Sequence, residues 1–271
     1  MIYLKTIFSE PNEVKYLRLN LKEAFDHIDK FIICEFNRTH IGSEREYILE
    51  NYLNLFTEEE KSKIIYIKGD ISKQTKFSKT DKNIIHNLNE TLIRGYFASQ
   101  IKLNDKDIIF SVDADEIIFS HQYPKIISKL KFWRPAIKLP LYQFYYKINY
   151  FWENNKFIAP TVCFAKYYKN KYPANWRYNG WLYKEYAGCH FSWCLTTDEM
   201  IKKLNQYSHH QDYGHLAKKE ILEKAVENKE YPFDNKVDFR IKVLDMDNSK
   251  ALYPASIFSM LDQFDNLIAE K

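Results

Sequence analysis

At 271 residues the chain can bury a sizeable core in one large domain or two small ones, and 45% hydrophobic with 28% charged residues excludes disorder. A net charge of +4 from scattered rather than blocked lysines gives no footprint for nucleic acid. Only 6 glycines occur, in neither G-x-G-x-x-G nor G-x-x-x-x-G-K-S/T, so the usual dinucleotide and P-loop cradles are excluded and a phosphorylated ligand would need a metal or basic side chains.

In chain order, residues 2–8 (IYLKTIF) read as a strand and 13–24 as a helix entered through Ser9-Glu10-Pro11. Residues 31–35 (FIICE) form a short, continuously apolar strand, with Cys34 as a small buried hydrophobe. A helix over 44–55, a strand over 63–67 and a polar exposed loop over 72–82 follow. Helical spacing marks 84–101, and 107–112 (DIIFSV) is a fourth strand. Apolar strands separated by helices predict a mostly parallel sheet with helices on both faces. Beyond it, 135–150 and 155–168 read as longer, aromatic-rich and more antiparallel strands, and 187–193 as a short one. Helices are predicted over 197–207, 214–228 and 254–268. No linker interrupts the chain, which predicts one domain over 1–271 with halves at 1–118 and 119–271.

The 17% aromatic content reads first as a Tyr-rich core, with stacking on a planar ligand reserved for local clusters. Four cysteines are too few for a disulfide scaffold. The start, MIYLKTIFSEPNE, is strand and turn rather than signal peptide, and no stretch approaches ~18 consecutive apolar residues. A soluble, cytoplasmic protein without a transmembrane segment is the expectation.

The most informative segment is the acidic run Asp113-Ala114-Asp115-Glu116 directly after the 107–112 strand. It puts carboxylates at the carboxyl edge of the sheet, where ligands bind in open α/β folds. In an extended chain residues i and i+2 project from one side, so Asp113 and Asp115 are expected to face one Mn²⁺ or Mg²⁺ together. Such an ion would balance a departing diphosphate. An acidic turn after a strand is also common, so D-x-D alone is a weak signal.

The second cluster, Gly188-Cys189-His190-Phe191-Ser192-Trp193-Cys194, lacks the complementary cysteine pair a zinc site needs. His190 reads by default as a core histidine, and Trp193 as core or as a platform for a sugar. Thr196 and Glu199 have capping-box spacing at the start of a helix that carries Asp198 in its first turn. Ser208-His209-His210-Gln211-Asp212 follows that helix and reads as surface in the absence of partners.

Taken in order, several segments resemble the family 17 glycosyltransferases. They are Asn12-Glu13 before a helix, Phe31–Glu35 with Asn37 and Thr39, Arg94, IFSVDADEI at 109–117, Leu141–Tyr145, Gly188–Cys194 with Thr196, Asp198 and Lys203-Leu204, Ser208-His209, and Leu252-Tyr253-Pro254. The resemblance implies a GT-A fold, Rossmann-like, with a nucleotide-sugar half at 1–118 and a smaller mixed, antiparallel acceptor side at 119–271. It implies an inverting, metal-dependent transfer from a UDP-sugar, N-acetylglucosamine first, to a glycan or other hydroxyl.

Carried over residue by residue, Glu35, Arg94, Asp113, Ala114 and Asp115 would meet the nucleotide sugar. Asp113, Asp115, His190 and His209 would be candidates for the metal, and Glu116, Tyr142 and Trp193 for the acceptor. The base stays open between Asp198, where the family has Glu, and Asp212, next to Gln211, where an acid is expected. Cys189 and Phe191 replace the family's Trp and Cys, so the family's C-x-x-C disulfide cannot form. Two other readings compete: nucleotidyl transfer onto a sugar phosphate, which the missing glycine-rich loop disfavours, and carbohydrate binding without catalysis.

Overall fold

Four short apolar runs build the parallel part of the sheet: β1 (Ile2–Ile7), β2 (Lys30–Phe36), β3 (Ile64–Gly69) and β4 (Ile108–Ser111). They pair side by side in the order β4-β1-β2-β3. The computed structural model describes residues 1–72, 82–169, 180–206, 210–234 and 236–270, with backbone alone at 82–88, 210 and 211. The strands are apolar throughout because both faces are covered. Phe31 and Ile33 face a core shared with Leu17 and Leu21, whereas Ile32 and Cys34 face one shared with Phe97 and Ile109. That alternation follows from the two-residue period of a strand. Helices Val14–Ala24 and Lys82–Gly95 cross between strands that must run parallel.

The second half adds β5 (Glu116–Ile118), β6 (Ala136–Tyr145), β7 (Tyr150–Trp152), β8 (Phe157–Phe164), β9 (Trp181–Leu182), β10 (Gly188–Ser192) and β11 (Ile241–Val243). The sheet runs β11-β7-β6-β8-β4-β1-β2-β3, with β9 and β10 joined to β6, and β5 to β10. From β4 to β11 the neighbours are antiparallel, while β9 and β10 run parallel to β6. The sheet is therefore mixed, and its parallel character belongs to the first half. The short link 146–149 leaves room only for an antiparallel return of β7 on β6.

Most of the aromatic excess is packing. Tyr145, Tyr146 and Trp152 form a third core with Met200, Leu204 and Leu222, and Tyr231 and Phe239 pack on it. All four cysteines are buried and free. Among the described residues, no helix is long and apolar enough to cross a membrane.

Three helical expectations are corrected. Residues 44–48 are irregular and only Leu49–Leu55 turns, as a 3-10 helix. Thr39 and Asn37 tie residues 43 and 45 back through the backbone, and the Glu35 carboxylate takes the Ile48 and Leu49 N–H groups. The α-helix over 214–228 begins only at Lys219, after a 3-10 turn at Gly214–Leu216. Residues 254–268 form three short 3-10 turns because other elements claim their backbone. Ser256 N–H donates to Glu23, and the Leu267 and Asn266 carbonyls accept from Ile148 N–H and Lys147 Nζ. The loop expected over 72–82 falls almost wholly outside the described residues.

One glycine decides how β10 enters. A Cβ on Gly188 would lie 1.9 Å from the Ile117 carbonyl oxygen, a backbone atom with no freedom to move aside. Gly188→Ala is expected to displace β5 from β10 and to cost about 3 kcal/mol in urea unfolding.

Candidate active site

A cleft of about 500 Å³ opens at the carboxyl edge of β1, β2, β4 and β10. Its floor is the acidic run. Glu116 N–H donates to the Asp113 carbonyl (3.1 Å) and Asp113 N–H to Glu116 Oε2 (2.7 Å). The run is thus a closed turn, not the extended strand end the i, i+2 argument assumes. Asp113 and Asp115 nevertheless both line the cleft. The Ala114 carbonyl between them is anchored by Asn20 Nδ2 at 2.8 Å.

The two aspartates have different partners. Arg94, from the end of the Lys82–Gly95 helix, clasps Asp113 with both terminal nitrogens (2.8 and 3.3 Å) while its Nε donates to Glu90 at 2.8 Å. Burial alone would lower the guanidinium pKa, but Asp113 and Glu90 raise it, so this cation is fixed. Asp115 lies 3.6 Å from His190 Nε2. Burial works against its ionisation, yet His190 and Lys203 more than offset this and hold its carboxyl below the usual value. His190 is placed by the register of β10, which pairs it with Glu116 on one side and Gln143 on the other. Its ring centroid packs 4.0 Å from that of Phe157, and its buried Nδ1 has no hydrogen-bond partner among the described residues.

The cleft has two further walls. One is the Ser9–Glu13 turn after β1, where Glu13 Oε2 accepts from Ser9 N–H (2.6 Å) and Glu10 N–H (3.4 Å). Burial pushes the Glu13 carboxyl up to about 7, against the pull of the Ser9 amide and of Lys203. The other wall is one face of the Thr197–Gln206 helix, with Glu199, Lys202, Lys203 and Gln206 at helical spacing. Lys202 is paired with Glu10 at 2.5 Å. Lys203 Nζ lies 5.1 Å over the Trp193 ring and, among the described residues, has no carboxylate at ion-pair distance. His40 also lines the cleft, and burial together with Arg94 lowers its pKa to about 4.

Several expected residues lie elsewhere. Glu35, assigned to the nucleotide, is fully buried outside the cleft lining. It accepts from Ile48 N–H (2.8 Å), Leu49 N–H (3.1 Å) and Tyr66 Oη (2.5 Å), because an acid at the end of a buried strand must find donors nearby. Glu35→Ala is expected to cost about 3 kcal/mol by stranding two backbone amides, with UDP affinity of the folded protein unchanged. Thermal unfolding and calorimetry together check this.

Asp198 and Asp212 are both exposed and outside the lining. The capping box is present, with Thr196 N–H donating to Glu199 Oε2 at 2.8 Å, and it turns Glu199 rather than Asp198 toward the cleft. Tyr142 stacks on Tyr186 with ring centroids 4.0 Å apart, outside the lining. Trp193 lies outside the cleft lining and meets it through Lys203, and its positive φ of 55° marks a strained exit from β10. Glu116 lines the floor but spends Oε2 on Asp113 N–H. His209 lies outside the described residues. Glu13, His40 and Lys203 carried no assigned role in the sequence; the acid-proline turn after β1 was the signal that could have singled out Glu13.

Among the described residues, no group of three or more His, Cys, Asp and Glu could hold a metal ion by itself. Two carboxylates beside open space still fit Mg²⁺ or Mn²⁺, which retain waters and take further ligands from substrate phosphates.

The family model of glycosyltransferase family 17 matches residues 2–232. The chain belongs to that family. A comparison with curated protein sequences gives no match. Among solved structures, this glycosyltransferase is similar to 4-diphosphocytidyl-2C-methyl-D-erythritol synthase from Anaerococcus prevotii (14% identity, TM-score 0.39, covering 63% of this chain and 75% of that one). It is also similar to galactosyltransferase LgtC in complex with donor and acceptor sugar analogues (10%, 0.36), covering 63% of this chain and only 60% of that one. The inositol-1-phosphate CTP transferase from T. maritima matches at 12% identity and TM-score 0.35 over 99% of this chain and 98% of that one.

Proposed function

We propose that this glycosyltransferase has a GT-A fold and transfers a sugar, N-acetylglucosamine first, from a UDP-sugar to a hydroxyl acceptor with inversion. The observation that carries this reading is the Asp115 carboxylate, kept ionised on the cleft floor between His190 and Lys203, beside an Asp113 already clasped by Arg94. Asp115, with Asp113, would hold a Mn²⁺ or Mg²⁺ ion. When bound, that ion supplies positive charge to the leaving diphosphate. Lys203 stands on the same side as a second source of charge.

In this reading the acceptor oxygen attacks the anomeric carbon, the bond from that carbon to the phosphate oxygen breaks, and UDP leaves. The acceptor proton passes to a base. Glu13 fits that role better than Asp198 or Asp212, because it lines the cleft and its pKa of about 7 suits proton uptake near neutrality. Incubation with a panel of UDP-sugars, Mn²⁺ and glycan acceptors tests the reading. UDP release that depends on the acceptor is expected, whereas pyrophosphate release from a nucleoside triphosphate would replace it with nucleotidyl transfer.

A further inference from the structure

The sheet has a second feature at its opposite edge. β4 and β6 both run antiparallel to β8, so they point the same way. The cleft follows the carboxyl end of β4, and the turn Lys131–Arg134 precedes the amino end of β6. Two backbone hydrogen bonds between Lys131 and Arg134 (3.1 and 2.8 Å) close that turn. They hold Phe132 and Trp133 at its tip, 86% and 75% exposed. Beside them Trp181 and Leu182 are about half exposed, and the Arg134 guanidinium covers one face of the Trp181 ring at 4.7 Å.

The segment that carries the tip is cationic in sequence, although the Asp105–Asp107 turn before β4 lies at the same edge of the sheet, with Asp105 paired to Lys169 and Asp107 to the N-terminal amine. Residues 117–152 contain no Asp or Glu, and Lys125, Lys129 and Lys131 are exposed along the Tyr123–Lys129 helix and the turn that lead into the tip. Glu185 pairs with Lys125 at 3.5 Å. Four large apolar side chains in water need a reason, since isolated exposed leucines are ordinary but a projecting aromatic cluster is not. Aromatic rings prefer the headgroup level of a bilayer, and lysines beside them are drawn to anionic headgroups. A two-fold dimer through this tip would bring like charges together.

We propose that the Phe132–Trp133 tip, with its collar of Lys125, Lys129, Lys131 and Arg134, docks the protein on a membrane surface bearing anionic lipids. Phe132 and Trp133 enter the headgroup layer, the cations pair with lipid phosphates, and the cleft at the far edge of the sheet stays open to water.

Co-sedimentation with phosphatidylcholine vesicles, with and without phosphatidylglycerol, tests this. Binding is expected only to the anionic vesicles, and it should weaken with salt. Lys129→Gln and Lys131→Gln should each reduce it about fivefold. Phe132→Ser with Trp133→Ser should abolish it, leaving thermal unfolding unchanged because both side chains are exposed. Equal binding to neutral vesicles, or none to either, overturns the proposal. So does an oligonucleotide that binds the tip while vesicles do not, or a dimer seen by light scattering that the same substitutions dissociate.

Discussion

Asp115→Asn is expected to remove Mn²⁺-dependent binding of UDP and to lower turnover about 10²–10³-fold, the range for loss of a group that stabilises charge in the transition state. The size of the effect follows from the partners. Both oxygens of Asp113 already accept from Arg94, so Asp115 is the carboxylate less committed to a partner when a cation arrives. The amide keeps the shape and loses the charge, while Asp115 O remains bonded to Phe191 N–H at 2.9 Å, so the turn should persist. Calorimetry with Mn²⁺ and with EDTA decides it. Equal UDP affinity of the wild-type protein in both buffers would sink the metal assignment, and unchanged turnover of the variant would sink the role of Asp115.

Glu13→Gln is expected to lower kcat about 10²–10⁴-fold with little change in UDP affinity, as removal of a general base should. The wild-type rate should fall as pH drops below about 7, where Glu13 becomes protonated, and the variant should lose that limb. Stability gives an independent signature. The folded-state pKa of Glu13 is raised, so the folded protein holds this proton more tightly than the unfolded chain. Stability from this group is therefore present at low pH and is lost as pH rises from the ordinary carboxylate range through about 7. The glutamine variant should show a flatter profile across that window. A variant that keeps wild-type kcat and its acidic limb would return the base to another carboxylate, and Asp198→Asn and Asp212→Asn, exposed outside the cleft, are expected to stay within a few-fold of wild type.

Much of the frame was legible because it rests on local periodicity. Continuous apolar runs such as FIICE and DIIFSV announce strands buried on both faces, and the Thr196–Glu199 spacing announces a helix start. Where the reading failed, distant groups had claimed the backbone. Glu35 drew the Ile48 and Leu49 amides out of the predicted helix, and Glu23, Ile148 and Lys147 did the same to residues 254–268.

The acidic run Asp113–Glu116 shows the same division in the site itself. The chain by itself placed carboxylates at the end of a buried strand, and with them the chemistry of the cleft, because residue type and strand pattern are local properties. Folding alone decided what each acid does. Arg94, nineteen positions earlier, pairs with Asp113; His190, brought in by the β10 register, faces Asp115; and the Ser9–Glu13 turn supplies a carboxyl whose protonation only its burial in the folded chain decides. The physical reason is that burial and neighbouring charge set the protonation and reach of a carboxylate, and both come from residues distant in the chain.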